Sequence, residues 1–115
     1  MALPHAVSGE VIPLGRPDSG AGAQRTHALI RAPQLEVARL VLPAGHRMPE
    51  HAAPGEITLQ GLAGRVDLVL GRRRVVVGPG DLVHLAAGEP HAVEAIEPSV
   101  VLLTLCRVRA APGVA

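Results

Sequence analysis

The sequence predicts an all-β fold, a sandwich or a barrel, on three observations. Short runs rich in Val, Leu and Ile recur at nearly regular intervals, Gly- and Pro-bearing turns separate them, and no ten-residue amphipathic window is free of both turn residues. In chain order the runs are Glu10–Leu14, His27–Arg31, Leu35–Leu42, Ile57–Leu62, Arg65–Leu70, Arg74–Val77, Asp81–Leu85, His91–Ile96 and Val100–Leu105. Between them lie "PAG", "APG", "GRR", "GPGD" and "AAGEP", each with the residue that a tight reversal needs.

A chain of 115 residues holds one core and is too short for two ordinary domains. Residues 1–34 are expected to supply an N-terminal edge strand and, over "GRPDSGAGAQ" (residues 15–24), a mobile loop. Residues 35–109 form the body, and residues 110–115 a frayed tail. The core is aliphatic, because Phe, Tyr and Trp are all absent. That absence weakens readings that need aromatic platforms, single-stranded nucleic acid and carbohydrate among them.

A formal net charge of +1 forces no basic face, so neither nucleic acid nor an anionic membrane is an expected partner. Arg72, Arg73 and Arg74 are the one local cluster, read as a solvated hairpin tip. Cys106 is the single cysteine, which excludes an intramolecular disulfide and a multi-cysteine zinc cluster and fits a reducing cytoplasm. At the end of "VVLLTLC" it is expected to be a buried, inert thiol. The start "MALPHAVSGE" has no basic region followed by an apolar stretch, and no run is long enough to span a bilayer as a helix.

The chemistry-bearing residues fall into two stretches. In "GPGDLVHLAAGEPHAVEA" (residues 78–95) a Gly-Asp turn opens a strand, "AAGEP" reverses the chain, and His91 begins the next strand. In "GHRMPEHAAPGEITLQGLAG" (residues 45–64), His51 precedes a Pro-Gly turn, with Glu56 just ahead of an apolar run. Gly80, Gly88 and His91 stand at the spacing of the second motif of the cupin superfamily, with Ala86 where that motif has proline. Gly45, His51 and Gly64 fall into the frame of the first. The chain therefore resembles a small single-domain cupin over roughly residues 35–106. The resemblance implies an antiparallel, jelly-roll-like β-barrel, with homodimerisation as a family-level expectation.

The resemblance also implies a metal site of three histidines and one glutamate, and only His51 and His91 carry over. Counting back from Gly64, Ala53 and Ile57 occupy the other two positions, with Glu56 one residue early. Two functional readings follow. In the first, His51 and His91 are polar groups of a pocket lined by Ala53 and Ile57 that takes a small molecule or, weakly, a divalent metal (Fe, Mn, Ni or Zn). In the second, Glu56 is re-aimed as a third ligand and the protein is a metal-dependent oxygenase or isomerase. Strand alternation opposes the second reading: if Ile57 faces inward, Glu56, Thr58 and Gln60 face away unless a bulge shifts the register. His84 should face outward or into an interface, His46 should lie on a surface loop, and His5 and His27 have no motif context.

Overall fold

The computed structural model describes residues 5–14 and 26–107. The low-complexity stretch 15–24 and the tail after Arg109 lie outside the described residues. Nine strands and no helix make up the described part: β1 His27–Arg31, β2 Leu35–Leu42, β3 Arg47–His51, β4 Ile57–Ala63, β5 Val66–Leu70, β6 Arg73–Val77, β7 Leu82–Leu85, β8 His91–Ala95 and β9 Ser99–Cys106. They form two antiparallel sheets, five-stranded in the order β1-β2-β9-β4-β7 and four-stranded in the order β3-β8-β5-β6. The sheets face each other as a jelly-roll-like sandwich, without a hydrogen-bonded ladder closing the barrel among the described residues.

Alternation along the strands dictates what lies between the sheets. In β4 Ile57, Leu59 and Gly61 are buried and Thr58, Gln60 and Leu62 are half-buried on the other face. Leu40 and Leu42 of β2, Val66 and Leu68 of β5, Val77 of β6, Leu85 of β7, Val93 and Ala95 of β8 and Val101 of β9 complete the core. Leu68, Val77 and Val101 are essentially inaccessible, and burying each such side chain contributes about 1.5–3 kcal/mol. The β4–β5 turn depends on Gly64, at φ +76°, where a Cβ would stand 2.2 Å from the Pro98 carbonyl oxygen. Both the left-handed backbone and the close approach demand glycine there.

The structure corrects the sequence reading in three places. Glu10–Leu14 is not an edge strand. Ile12 and Leu14 instead pack on the outer face of the five-stranded sheet against Leu29, Val37 and Leu102. Pro13 has no N–H to give a ladder, and its carbonyl accepts from the Arg39 guanidinium at 3.1 Å. Second, β3 is a strand that the sequence did not announce, since its burial shows no inward alternation. Third, Cys106 is exposed, because Leu103 and Leu105 take the inward positions of β9 and the thiol falls on the outer face at the strand end.

The arginine triplet divides. Arg72 lies in the β5–β6 turn, while Arg73 and Arg74 belong to β6. Arg74 reaches across the outer face to Asp67 at 3.3 Å and Glu94 at 3.0 Å. Asp67 and Glu94 are cross-strand partners of like charge, so one guanidinium offsets their mutual repulsion. Arg47 extends the row at 3.3 Å from Glu94.

Candidate functional site

Two loops bring the motif residues together. The Gly88 N–H donates to the Ala53 carbonyl at 2.8 Å, tying the turn before β8 to the segment between β3 and β4. β3 pairs with β8 in the register Arg47↔Glu94, Met48↔Val93 and His51↔His91. Between the last two pairs, Pro49 and Glu50 stand opposite the single residue Ala92, which makes a β-bulge. The bulge tolerates Pro49 in the strand. It also puts Met48 and His51, three residues apart, on the same inward face, although simple alternation would separate them.

His51 and His91 are thus directly opposed across the ladder. Their ring centroids lie 4.4 Å apart with planes tilted by 54°. His91 is 3% exposed, while His51 is open to solvent at the mouth. Each ring is held the same way. His51 Nδ1 lies 3.1 Å from the Pro49 carbonyl oxygen and His91 Nδ1 lies 3.0 Å from that of Glu89. A carbonyl oxygen only accepts, so each contact places the neutral ring's proton on Nδ1 and leaves the Nε2 lone pair free.

Both rings line a small pocket between the sheets, open at one end, with a cavity volume of about 60 Å³. Ala53 and Ile57 line it beside the histidines, as do Met48 and an aliphatic wall of Leu40, Leu59, Val93, Leu103 and Leu105. A concave, mostly apolar space with few polar groups at one end has the form of a small-molecule site, and its volume limits the occupant to a small one.

Glu56 does not join it. Its Oε1 accepts from His84 Nε2 at 2.6 Å on the outer face, where both side chains are more than half exposed. Thr58 pairs with His84 and Thr104 on that face, as alternation from Ile57 requires. Gln60 shares it, and His46 is exposed in the β2–β3 loop. Sequence reasoning named four of the pocket residues and missed the aliphatic wall and Met48. The signal for Met48 was Pro49, which inside a strand marks a bulge and hence a change of face.

Among the described residues, no group of three or more His, Cys, Asp or Glu side chains is placed to hold a metal ion. The donor set at the pocket is two neutral imidazoles, with alanine and isoleucine at the other two motif positions. It does not fit a divalent ion held by three histidines and a carboxylate.

A family model described as "Cupin domain" matches residues 38–106. No curated protein matches the chain in sequence. Among solved structures, a conserved protein of unknown function from Streptococcus pyogenes superposes with a TM-score of 0.73 at 20% identity, over 96% of this chain and 97% of that one. A cupin superfamily protein from Desulfitobacterium hafniense does so with a TM-score of 0.74 at 16% identity, over 92% and 98%. The polyketide cyclase RemF from Streptomyces resistomycificus gives 0.65 at 24% identity, over 75% and 66%. At these identities the likeness is one of fold. No helix among the described residues is long and apolar enough to cross a membrane.

Proposed function

The chain belongs to the cupin superfamily, and from that premise we propose that it is a small-molecule-binding module whose ligand lies in the pocket between the sheets with its head against His51 and His91. One observation carries this reading: two histidines line an aliphatic pocket, and a backbone carbonyl engages Nδ1 of each, which leaves Nε2 as the acceptor each neutral ring can offer. Neutral imidazoles arranged this way accept hydrogen bonds. The ligand they select near neutral pH therefore has an aliphatic body and a proton-donating head, an alcohol or a primary ammonium, and not a carboxylate anion.

The enzyme reading that needed Glu56 loses its support, since that carboxylate is bonded to His84 outside the pocket. Acid–base chemistry by either pocket histidine also wants a partner at hydrogen-bond reach, and the partner each has is a main-chain carbonyl.

Titrating hexylamine, hexanol and hexanoate while following methyl resonances tests the proposal. At pH 8 the amine and the alcohol should shift pocket methyls of Leu40, Leu59, Leu103 and Leu105, and hexanoate should not. Unmoved pocket methyls with all three probes, or the same response in His91→Ala, would overturn it.

A further inference from the structure

We propose that the pocket selects its ligand by size: it admits the head and an aliphatic body of about three carbons, and Leu40 is the floor that sets this limit. The inference rests on the binding reading above and narrows the ligand to a short primary amine or alcohol.

The strand register divides the pocket into layers. Cross-strand partners share a face, and inward positions recur every second residue, about 7 Å apart along a strand. The mouth layer holds the pair His51↔His91 of the four-stranded sheet and, at the same end of the sandwich, the pair Ile57↔Leu105 of the five-stranded one. The next layer inward holds Met48↔Val93 and Leu59↔Leu103. One step further in, Leu40 pairs with Val101. Leu40 still lines the pocket, whereas Val101 is essentially inaccessible and does not. The free space therefore runs from the histidines past one ring of apolar side chains and stops at Leu40.

That space is small. An enclosed apolar cavity of about 150 Å³ takes benzene, so by proportion one of about 60 Å³ takes fewer than half as many carbons, about two to three. The wall does not retreat to make more room, because Leu40, Leu59 and Val93 are buried in a close-packed interior. Surplus carbons of a longer ligand stay at the mouth beside the exposed His51, where they bury little surface. Hexyl probes thus occupy the site without gaining from their length. In an unlimited pocket each buried methylene would instead tighten binding by about fourfold.

Titrating the full chain at pH 8 with the primary amines from methylamine to hexylamine, followed by the methyl resonances of the pocket leucines, tests the limit. Affinity should climb by about fourfold per carbon as far as propylamine and then rise no further, where an unlimited pocket would gain about sixtyfold between propylamine and hexylamine. Leu40→Ala removes the isopropyl group that closes the floor, so in it the climb should continue to hexylamine. Leu40→Val, a smaller cut expected to leave the protein folded, should move the limit by about one carbon, to butylamine. Leu42→Val, equally buried but outside the lining, should leave it at propylamine. The inference is overturned if the parent's affinity keeps climbing from propylamine to hexylamine, or if Leu40→Val keeps the parent's limit, whether or not Leu40→Ala folds. Either result, with amines still shifting the pocket methyls, sinks the size limit alone. Methyls unmoved by every amine sink the binding reading with it.

Discussion

Restoring the missing ligands should convert the pocket into a divalent-metal site. The variant is Ala53→His with Ile57→Glu, which places an imidazole and a carboxylate on the wall that already carries His51 and His91. Without metal it should be destabilised. Ile57 is 4% exposed, so its removal forfeits about 1.5–3 kcal/mol of apolar burial, and a carboxylate among leucines adds a cost of about 1–3 kcal/mol even after its pKa adjusts. Against a domain stability of about 5–15 kcal/mol the protein should remain folded but marginal. Zn(II) or Mn(II) at a hundred times its dissociation constant returns about 2.7 kcal/mol. At about 4 °C per kcal/mol for a chain of this size, the unfolding midpoint should rise by about 11 °C. Thermal unfolding by circular dichroism with and without the ions, alongside metal quantification, reads the effect, with the parent protein as the unresponsive control. A variant that is folded yet shows no metal-dependent midpoint would refute the claim that these four positions converge.

Other consequences are more local. Gly61→Ala should lower stability by about 1–3 kcal/mol in chemical denaturation, because the added Cβ would lie 2.1 Å from the Gly78 carbonyl oxygen, a backbone atom that cannot swing aside; an unchanged midpoint would contradict the packing of β4 on that turn. His84→Ala should leave probe binding intact and change stability by less than about 1 kcal/mol, since its partner Glu56 is exposed. A parallel loss of pocket binding would place that pair at the site. The Glu94 carboxyl is held below the ordinary glutamate range, foremost by its hydrogen bond from Arg74. A depressed folded-state pKa contributes stability that is present above the unfolded value, about 4.3, and is lost as pH falls through the folded one. Arg74→Ala should therefore cost more stability at pH 7 than at pH 3, with the Glu94 carboxyl carbon titrating at higher pH by NMR. Equal costs at both pH values would show the pair to be energetically idle.

The strand runs were legible where burial imposes alternation. Ile57, Leu59 and the leucines of β9 declare their inward face in the sequence itself, and from that face the outward direction of Glu56, Thr58 and Gln60 follows by parity. The spacing of Gly45, His51, Gly80, Gly88 and His91 carried the pairing of the two histidines across the chain. What escaped was set by tertiary context. β3 is polar and exposed and exists because β8 offers it a ladder, so nothing in "RMPEH" marks it as a strand by period. Glu10–Leu14 has the composition of a strand, yet Ile12 and Leu14 gain more by covering Leu29, Val37 and Leu102 than Pro13 allows through pairing. Met48 became a pocket residue only through the bulge, whose one local sign is Pro49. Cys106 was misread because an apolar run was taken as buried to its last residue, one step past the inward Leu105.

The central claim is that both pocket imidazoles offer an unprotonated Nε2 because main-chain carbonyls hold the proton on Nδ1. Long-range proton–nitrogen correlation spectra of uniformly nitrogen-labelled protein at pH 8 test it directly, with assignments from His51→Ala and His91→Ala. The account predicts the Nδ1–H tautomer for His51 and His91 and the Nε2–H tautomer for His84, whose Nε2 faces Glu56. Nε2–H tautomers at His51 and His91 would contradict it.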